Sequence, residues 1–434
     1  MTTSVDVQPS VPAAPRTVAE TGLSIDLILQ IIVKTLHLAG ELSGTDLADR
    51  LGVPFGVIEA VLMHLKRDQH VEISGGSMVG PSSYRYRLTD GGRTRAAMFL
   101  RESRYVGHLP VPLTQYNDVI RRVAARRLAL SRETLSRAFS HLVLSTRVVD
   151  QLGPAIANRH SLFIYGPPGN GKTVISQAIR NVRADDIAVP HAVAVDDHII
   201  RVYDPVHHEP LDTSEQTSGL VRAETFDGRW VRCRRPLVTA GGELTMDALE
   251  LGYGETSGFY RAPLQMIANG GVLVIDDFGR QRATPAELLN RWIVPLESRI
   301  DYLTLRTGQK FEIPFDAFVV FATNLRPSDL VDEAFLRRIR YKVLASSPSD
   351  DEFVRIFEGC CREREVPFQP QMAEQVLVEL RARNIRLRGC HPRDLIDQAL
   401  SVAEYRDGAR VLTSELLSEA CLSYFVEDED LATA

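Results

Sequence analysis

The eight residues Gly166-Pro167-Pro168-Gly169-Asn170-Gly171-Lys172-Thr173 set three glycines, a lysine and a threonine at the spacing of a loop that wraps phosphate groups. Glycine lets successive backbone N–H groups turn inward around phosphate oxygens, and a helix starting behind them adds the positive end of its dipole. Lys172 is then placed to reach β- and γ-phosphates, and the Thr173 hydroxyl to meet Mg²⁺. A second stretch, Gly270 to Arg280, reads GGVLVIDDFGR: four residues suited to a buried strand, Val272 to Ile275, end in two adjacent carboxylates. Asp276 and Asp277 repel each other and need a positive partner. Beside a phosphate loop that partner is a metal ion. Asp276 would position Mg²⁺, directly or through water, and Asp277 would orient the water that attacks the γ-phosphate. The alternative for Asp277 is a cap on the turn that follows.

Such residues converge only if strands deliver them to one place. Ser161 to Tyr165 is a short apolar run before the loop, a helix pattern follows it, and AFVVFATNLRP forms a third buried strand ending at Asn324. Short apolar runs alternating with helices predict an α/β domain with a parallel sheet. From Ala345 onward four amphipathic segments predict a small helical lid, and the acidic end VEDEDLATA a loose tail. Near the other end, LSIDLILQIIVKTLHLAG, SGTDLADRLGV and PFGVIEAVLMHLKRDQH read as three helices, the second capped by Ser43 or Thr45. HVEIS and YRYRLTDGGR then read as a hairpin.

The chain has 434 residues, 44% hydrophobic and 24% charged, which predicts two or three domains of a water-soluble protein. No apolar run reaches membrane-spanning length, so no membrane partner is expected. Cys233, Cys360, Cys361, Cys390 and Cys421 lack metal or paired spacing, which favours reduced thiols and a cytoplasmic location. A net charge of −6 argues against a protein whose main work is coating nucleic acid and leaves room for a local basic face. His207 and His208 have no further ligands at zinc spacing. RRVAARR, Arg121 to Arg127, reads as a solvated helix face.

These motifs resemble the AAA+ superfamily of ATPases, and three more segments agree in order. Asn324 matches the first sensor, whose amide would hydrogen-bond the γ-phosphate or the attacking water. LVDEAFLRRIRYKV resembles the segment carrying the arginine finger, with Arg338 the choice and Arg337 the reserve. RGCHPRDLIDQAL resembles the second sensor, with Arg393 approaching the γ-phosphate from the lid. The resemblance implies a P-loop three-layer α/β sandwich with a C-terminal helical lid. It also implies ATP and Mg²⁺ as ligands and a homo-oligomeric ring, usually a hexamer, because a finger acts across a subunit boundary. Asp276-Asp277 stands where most of the superfamily has Asp-Glu, so the attacking water must sit closer or the strand must shift.

The N-terminal helices and hairpin resemble a winged helix. The domains expected are a tail (1–22), the winged-helix-like module (23–97), a linker helix (98–131), the large ATPase subdomain (132–344), the lid (345–426) and an acidic tail (427–434). Winged helices dock proteins as well as duplex DNA. His64, Lys66, Arg67, Arg85 and Arg87 offer only a thin basic face, so an unknown protein partner is favoured and duplex DNA left open. Asp227-Gly228 predicts a hairpin turn in the long insert, and Gly252-Tyr253-Gly254 reads either as an aromatic-tipped pore loop or as an ordinary connection. A hairpin turning at Thr307-Gly308, just before the Asn324 strand, is similar to that of the branch holding MoxR-type ATPases and bacterial enhancer-binding activators. Three functions are open: a ring ATPase that remodels a protein, a DNA-bound regulator or loader, and a nucleotide-gated scaffold with little hydrolysis.

Overall fold

The computed structural model describes residues 11–75, 80–126, 130–183, 185–211, 226–330, 336–408 and 410–425. The first ten residues of the expected N-terminal tail, the acidic tail and the segment before Phe226 of the expected insert hairpin lie outside the described residues.

The chain begins with α1 (Val18–Thr21) and α2 (Ile25–Ala39), the latter capped by Ser24 and stopped at Gly40. There follow β1 (Glu41–Ser43), α3 (Gly44–Leu51), α4 (Phe55–Arg67), β2 (Val71–Gly75) and β3 (Arg85–Leu88). β3 lies between β1 and β2, antiparallel to both. Ser43 rather than Thr45 caps α3, its Oγ accepting from Asp46 N at 3.0 Å. Helix α5 (Asp90–Glu102) runs through position 97, where the sequence places the end of this module.

A connector contributes β4 (Val111–Pro112), α6 (Leu113–Ala125), α7 (Arg132–Ala138) and α8 (Thr146–Ala157) before β5 (Leu162–Tyr165) and α9 (Lys172–Ala178). The insert supplies β6 (Asp186–Pro190), β7 (Ala192–Val195), β8 (His198–Arg201) and β9 (Trp230–Arg234). Next come β10 (Leu237–Ala240), β11 (Gly252–Tyr253), β12 (Tyr260–Arg261), α10 (Leu264–Ile267), β13 (Val272–Ile275) and α11 (Pro285–Ser298). β14 (Ile300–Thr304) and β15 (Lys310–Pro314) form the expected hairpin ahead of β16 (Phe318–Thr323), and α12 (Pro327–Leu330) and β17 (Tyr341–Leu344) complete the domain. Helices α13 (Asp350–Glu363), α14 (Pro370–Ala382), α15 (His391–Asp407) and α16 (Ser414–Tyr424) pack as a separate unit around Phe353, Phe357, Leu380, Ile396 and Leu417.

The central sheet is parallel throughout, in the order β17-β5-β16-β13-β10. Its strands are apolar without alternation because both faces are covered. Phe163, Leu273, Ile275, Val319 and Phe321 enter one core, while Leu162, Ile164, Val274, Val320 and Val343 enter the other. The register decides what meets at the edge: Ile275 is opposite Phe321 and Thr323 opposite Tyr165, so β5, β13 and β16 end nearly level. In a parallel sheet a ligand site belongs at that C-terminal edge.

The insert departs from expectation in two places. Asp227-Gly228 turns the chain, but β9 pairs antiparallel with β6, Ile187 opposite Cys233. The turn carries the fully buried pair Asp227–Arg229, whose Arg229 guanidinium also donates to Thr21 O at 3.0 Å and to Gln115 Oε1 at 3.2 Å. Gly228 touches the N-terminal module so closely that a Cβ there would meet Gly52 O at 2.9 Å. Tyr253 is no free loop tip. It lies in β11 with its ring against Tyr260, centroids 4.9 Å apart, and the Arg306 guanidinium 4.5 Å above it. The turn beyond it is held by the module, Arg104 N donating to Ser257 O at 2.7 Å. His108 and His191 stack across the same junction at 3.7 Å, and Ala192, Ala194 and Ile199 of the insert complete the module's own core.

Candidate functional site

The loop from Gly166 to Gly171 leaves the end of β5 and enters α9. Gly171 precedes the helix with φ 72° and no side-chain cap, so the first helical N–H groups are left for a ligand. Lys172 is buried, and its Nζ donates to Gly166 O at 3.0 Å and Pro167 O at 2.9 Å. Burial lowers its pKa from the ordinary lysine value, and the charges of Asp277 and Asp276 oppose that shift. The cation and the two carboxylates therefore share one electrostatic environment.

Thr173 Oγ1 donates to Asp276 Oδ2 at 2.7 Å, joining the first turn of α9 to the end of β13. A hydroxyl and a carboxylate in contact at this edge form a donor set that fits a hard divalent cation such as Mg²⁺. Asp277 sits in the left-handed region, φ 49°, and is exposed. Its Oδ1 accepts from Asn324 Nδ2 at 3.0 Å, so the side chain faces the end of β16. The only turn bond formed at Asp277 toward Arg280 uses its backbone carbonyl. Gln281 braces the same turn by donating to Asp276 O at 2.7 Å and accepting from Gly279 N. Nothing in the motifs points to Gln281, since its role depends on a turn geometry that no motif encodes.

Asn170 is the second surprise. Its Nδ2 donates to Ala345 O at 3.2 Å, just past β17, and its Oδ1 accepts from Gly389 N at 3.1 Å in the lid. Gly169 (φ 81°) lies beneath the same lid segment, where a Cβ would come within 2.5 Å of Cys390 Sγ and 3.5 Å of Arg388 Cδ. The lid thus rests on the phosphate loop through Arg388, Gly389 and Cys390. Arg393, one turn into α15, pairs with Asp394 at 2.8 Å and is more than half exposed. Arg338 Nε donates to Glu297 Oε1 at 2.7 Å and lines a concave surface with His160, Arg337 and Arg340. Of the expected site residues, the structure joins Lys172, Thr173, Asp276, Asp277 and Asn324. It holds Arg393 and Arg338 in ion pairs elsewhere.

His208 has both ring nitrogens committed to backbone, Nδ1 accepting from Asp204 N at 2.9 Å and Nε2 lying 3.0 Å from Ile267 O. That accounts for one of the adjacent histidines as a packing residue. No helix among the described residues is long and apolar enough to cross a membrane.

Residues 349–423, the lid helices, match a family model described as a domain of unknown function, DUF8689. A comparison with curated proteins finds no match. Among solved structures the chain is similar to NtrX from Brucella abortus in complex with ATP, at 12% identity over 73% of this chain and 62% of that one, TM-score 0.39. With the ADP complex the figures are 16%, 75%, 65% and 0.38. For the RuvB Holliday junction branch migration motor of Thermotoga maritima they are 13%, 71%, 75% and 0.37. The chain thus spans less than two thirds of the two NtrX chains it matches.

Proposed function

We propose that the chain is a cytoplasmic Mg-ATP-dependent ATPase of the AAA+ type that assembles into a ring, six-membered by resemblance, and remodels a protein partner. The observation that carries this reading is the meeting of three level strand ends. Thr173 bonds to Asp276 at 2.7 Å, and Asn324 bonds to Asp277 at 3.0 Å.

In this reading the backbone N–H groups from Gly166 to Thr173 bind the phosphates, and Lys172 exchanges two loop carbonyls for phosphate oxygens. Thr173 and Asp276 would hold Mg²⁺, which when bound neutralises charge developing on the β- and γ-oxygens. Asp277, steadied by Asn324, orients a water and receives its proton. Arg393 leaves Asp394 when the lid closes, and Arg338 leaves Glu297 to serve a neighbouring protomer. The hairpin of β14 and β15 ahead of the Asn324 strand supports the branch resemblance with MoxR-type ATPases and enhancer-binding activators.

The test is nucleotide titration and phosphate release by the full chain with and without Mg²⁺. Lys172→Ala should lose nucleotide binding. A parent protein that binds ATP but releases no phosphate at any protein concentration would leave the nucleotide-gated scaffold instead.

The second reading, a winged-helix regulator or loader on duplex DNA, draws on His64, Lys66 and Arg67, all exposed on α4. The hairpin adds little to it, because Arg85 pairs with Glu41 and Arg87 with Glu72. Salt-dependent duplex binding by the full chain that Lys66→Ala and Arg67→Ala weaken would move the conclusion to this reading.

A further inference from the structure

At the opposite edge of the central sheet, where β13 and β16 begin, the chain encloses a cavity of about 410 Å³. Its walls carry Arg126, Arg159, Arg180, Arg183, Arg235 and Arg299, and among the described residues the only lining carboxylate is Asp316. Arg159 is bonded to Asp316 at 2.7 Å and to Ala124 O at 2.5 Å. Arg235, nearly fully buried, is held by Asp185 and by Gly270 O. Arg299 donates to the carbonyls of Arg159 and Ala317. Arg180 pairs with Glu209 at 2.9 Å. Arg126 aside, five guanidinium groups thus face Asp316, Asp185 and Glu209, an excess of two positive charges among the described residues around one hollow.

A structural ion-pair network would balance its charges, since uncompensated like charges in a low-dielectric site repel. Here they do not balance. Arg183 Nε is buried without a hydrogen-bond partner among the described residues, 3.5 Å from Asp185 Oδ1. Burial, and next the charge of Arg235, pushes the Arg183 pKa down to about 10. Burial, aided by the charge of Arg159 and opposed by that of Asp316, lowers that of Arg299. The remaining wall is apolar: Ile156, Ile179, Val272 and Phe318. Guanidinium forks match phosphate oxygens in geometry as well as charge, and the volume is that of a small-molecule site.

We propose that this cavity binds a small organic phosphate carrying two or more negative charges, its phosphate held by Arg183, Arg180 and Arg235 and its carbon part set against Ile156, Ile179 and Phe318. The site is separate from the phosphate loop, which lies at the other end of the strands, and the assignment does not depend on ATP hydrolysis. Asp316 stays with Arg159 at the side of the cavity and limits how much charge the ligand can carry.

Titration calorimetry of the full chain with inorganic pyrophosphate tests it. Beside any binding at the loop of residues 166–173, the expected result is one site that persists with less than twofold change in Lys172→Ala and whose affinity falls about tenfold or more in Arg183→Gln and in Arg180→Gln. Arg180 is partly exposed and its loss spares the core, so it keeps the test valid if Arg183→Gln unfolds. Absence of pyrophosphate binding in the parent, loss of that binding in Lys172→Ala, or parent-like affinity in both arginine variants would each overturn the assignment. An Arg183→Gln protein with unchanged pyrophosphate affinity but an altered sedimentation mass would make the cavity a contact for another chain and dismiss the small ligand.

Discussion

At the scale of single residues the decisive pairing is Asp277 with Asn324. Asp277 occupies a left-handed backbone conformation that its side chain tolerates better than most, and that conformation carries the carboxylate over to the end of β16. The carboxylate is one methylene shorter than a glutamate would be, and the Asn324 amide holds it at 3.0 Å. Asp277→Asn keeps the shape, the hydrogen-bonding size and the neighbouring Asp276, and removes the carboxylate proposed as the base. It should therefore retain ATP affinity while phosphate release falls by about a hundredfold or more. Parallel nucleotide titration and turnover measurements check this, and parent-like turnover would take Asp277 out of the water-activating role. Lys172→Ala, by contrast, removes the charge that the loop itself requires, so the loss should already appear in binding.

At the scale of elements, the phosphate loop and the lid are joined by Asn170, whose amide spans from Ala345 to Gly389. Removing it by Asn170→Ala should loosen the lid by about 1–2 kcal/mol. Cys390 reports on this, since its thiol lies against Gly169 and burial raises its pKa. Its alkylation rate, read by mass spectrometry, should rise several-fold in Asn170→Ala. An unchanged rate would mean that Asn170 does not set the lid's position. The central strands were legible in the sequence because each is a continuous apolar run ending in a polar residue with a chemical use, Asp276 or Asn324. The hairpin at Thr307-Gly308 was legible because a glycine turn separates two alternating segments. The insert was not. The strand after Asp227-Gly228 pairs with β6, more than thirty positions earlier along the chain, and local turn chemistry carries no information about a partner that distant. β1 escaped for a related reason, being three residues long and recognisable only by its pairing with β3.

At the scale of the whole molecule, the two arginines assigned by resemblance lie apart from the residues they would serve. Arg338 is bonded to Glu297 on α11. If a neighbouring protomer uses it, phosphate release per chain should climb with protein concentration in the parent. In Arg338→Ala it should stay low and flat. A concentration series of turnover alongside sedimentation checks this, and equal activity would transfer the role to Arg337 or abolish it. The stacked pair His108 and His191 gives the junction between the N-terminal module and the insert a pH limit. Burial first, then the charges of His108 and Arg201, push the His191 pKa down to about 3, so the ring is neutral in the folded chain at neutral pH. The unfolded chain takes up a proton as pH falls from about 6.5, so stability present above that value is lost progressively toward pH 3. Denaturation midpoints at pH 7 and pH 5 should show this loss, and His191→Gln should reduce the difference.

The pin formed by Asp227, Arg229 and Thr21 bears on how force could leave the molecule. With that buried pair in place, and with Ala192, Ala194 and Ile199 filling the module's core, the N-terminal end is no swinging arm on a tether. It is fixed to the insert by a buried ion pair and a shared core, whereas the lid meets the loop of residues 166–173 through Asn170 and Gly169. In the ring proposed above, a partner gripped by the module would therefore move together with the insert.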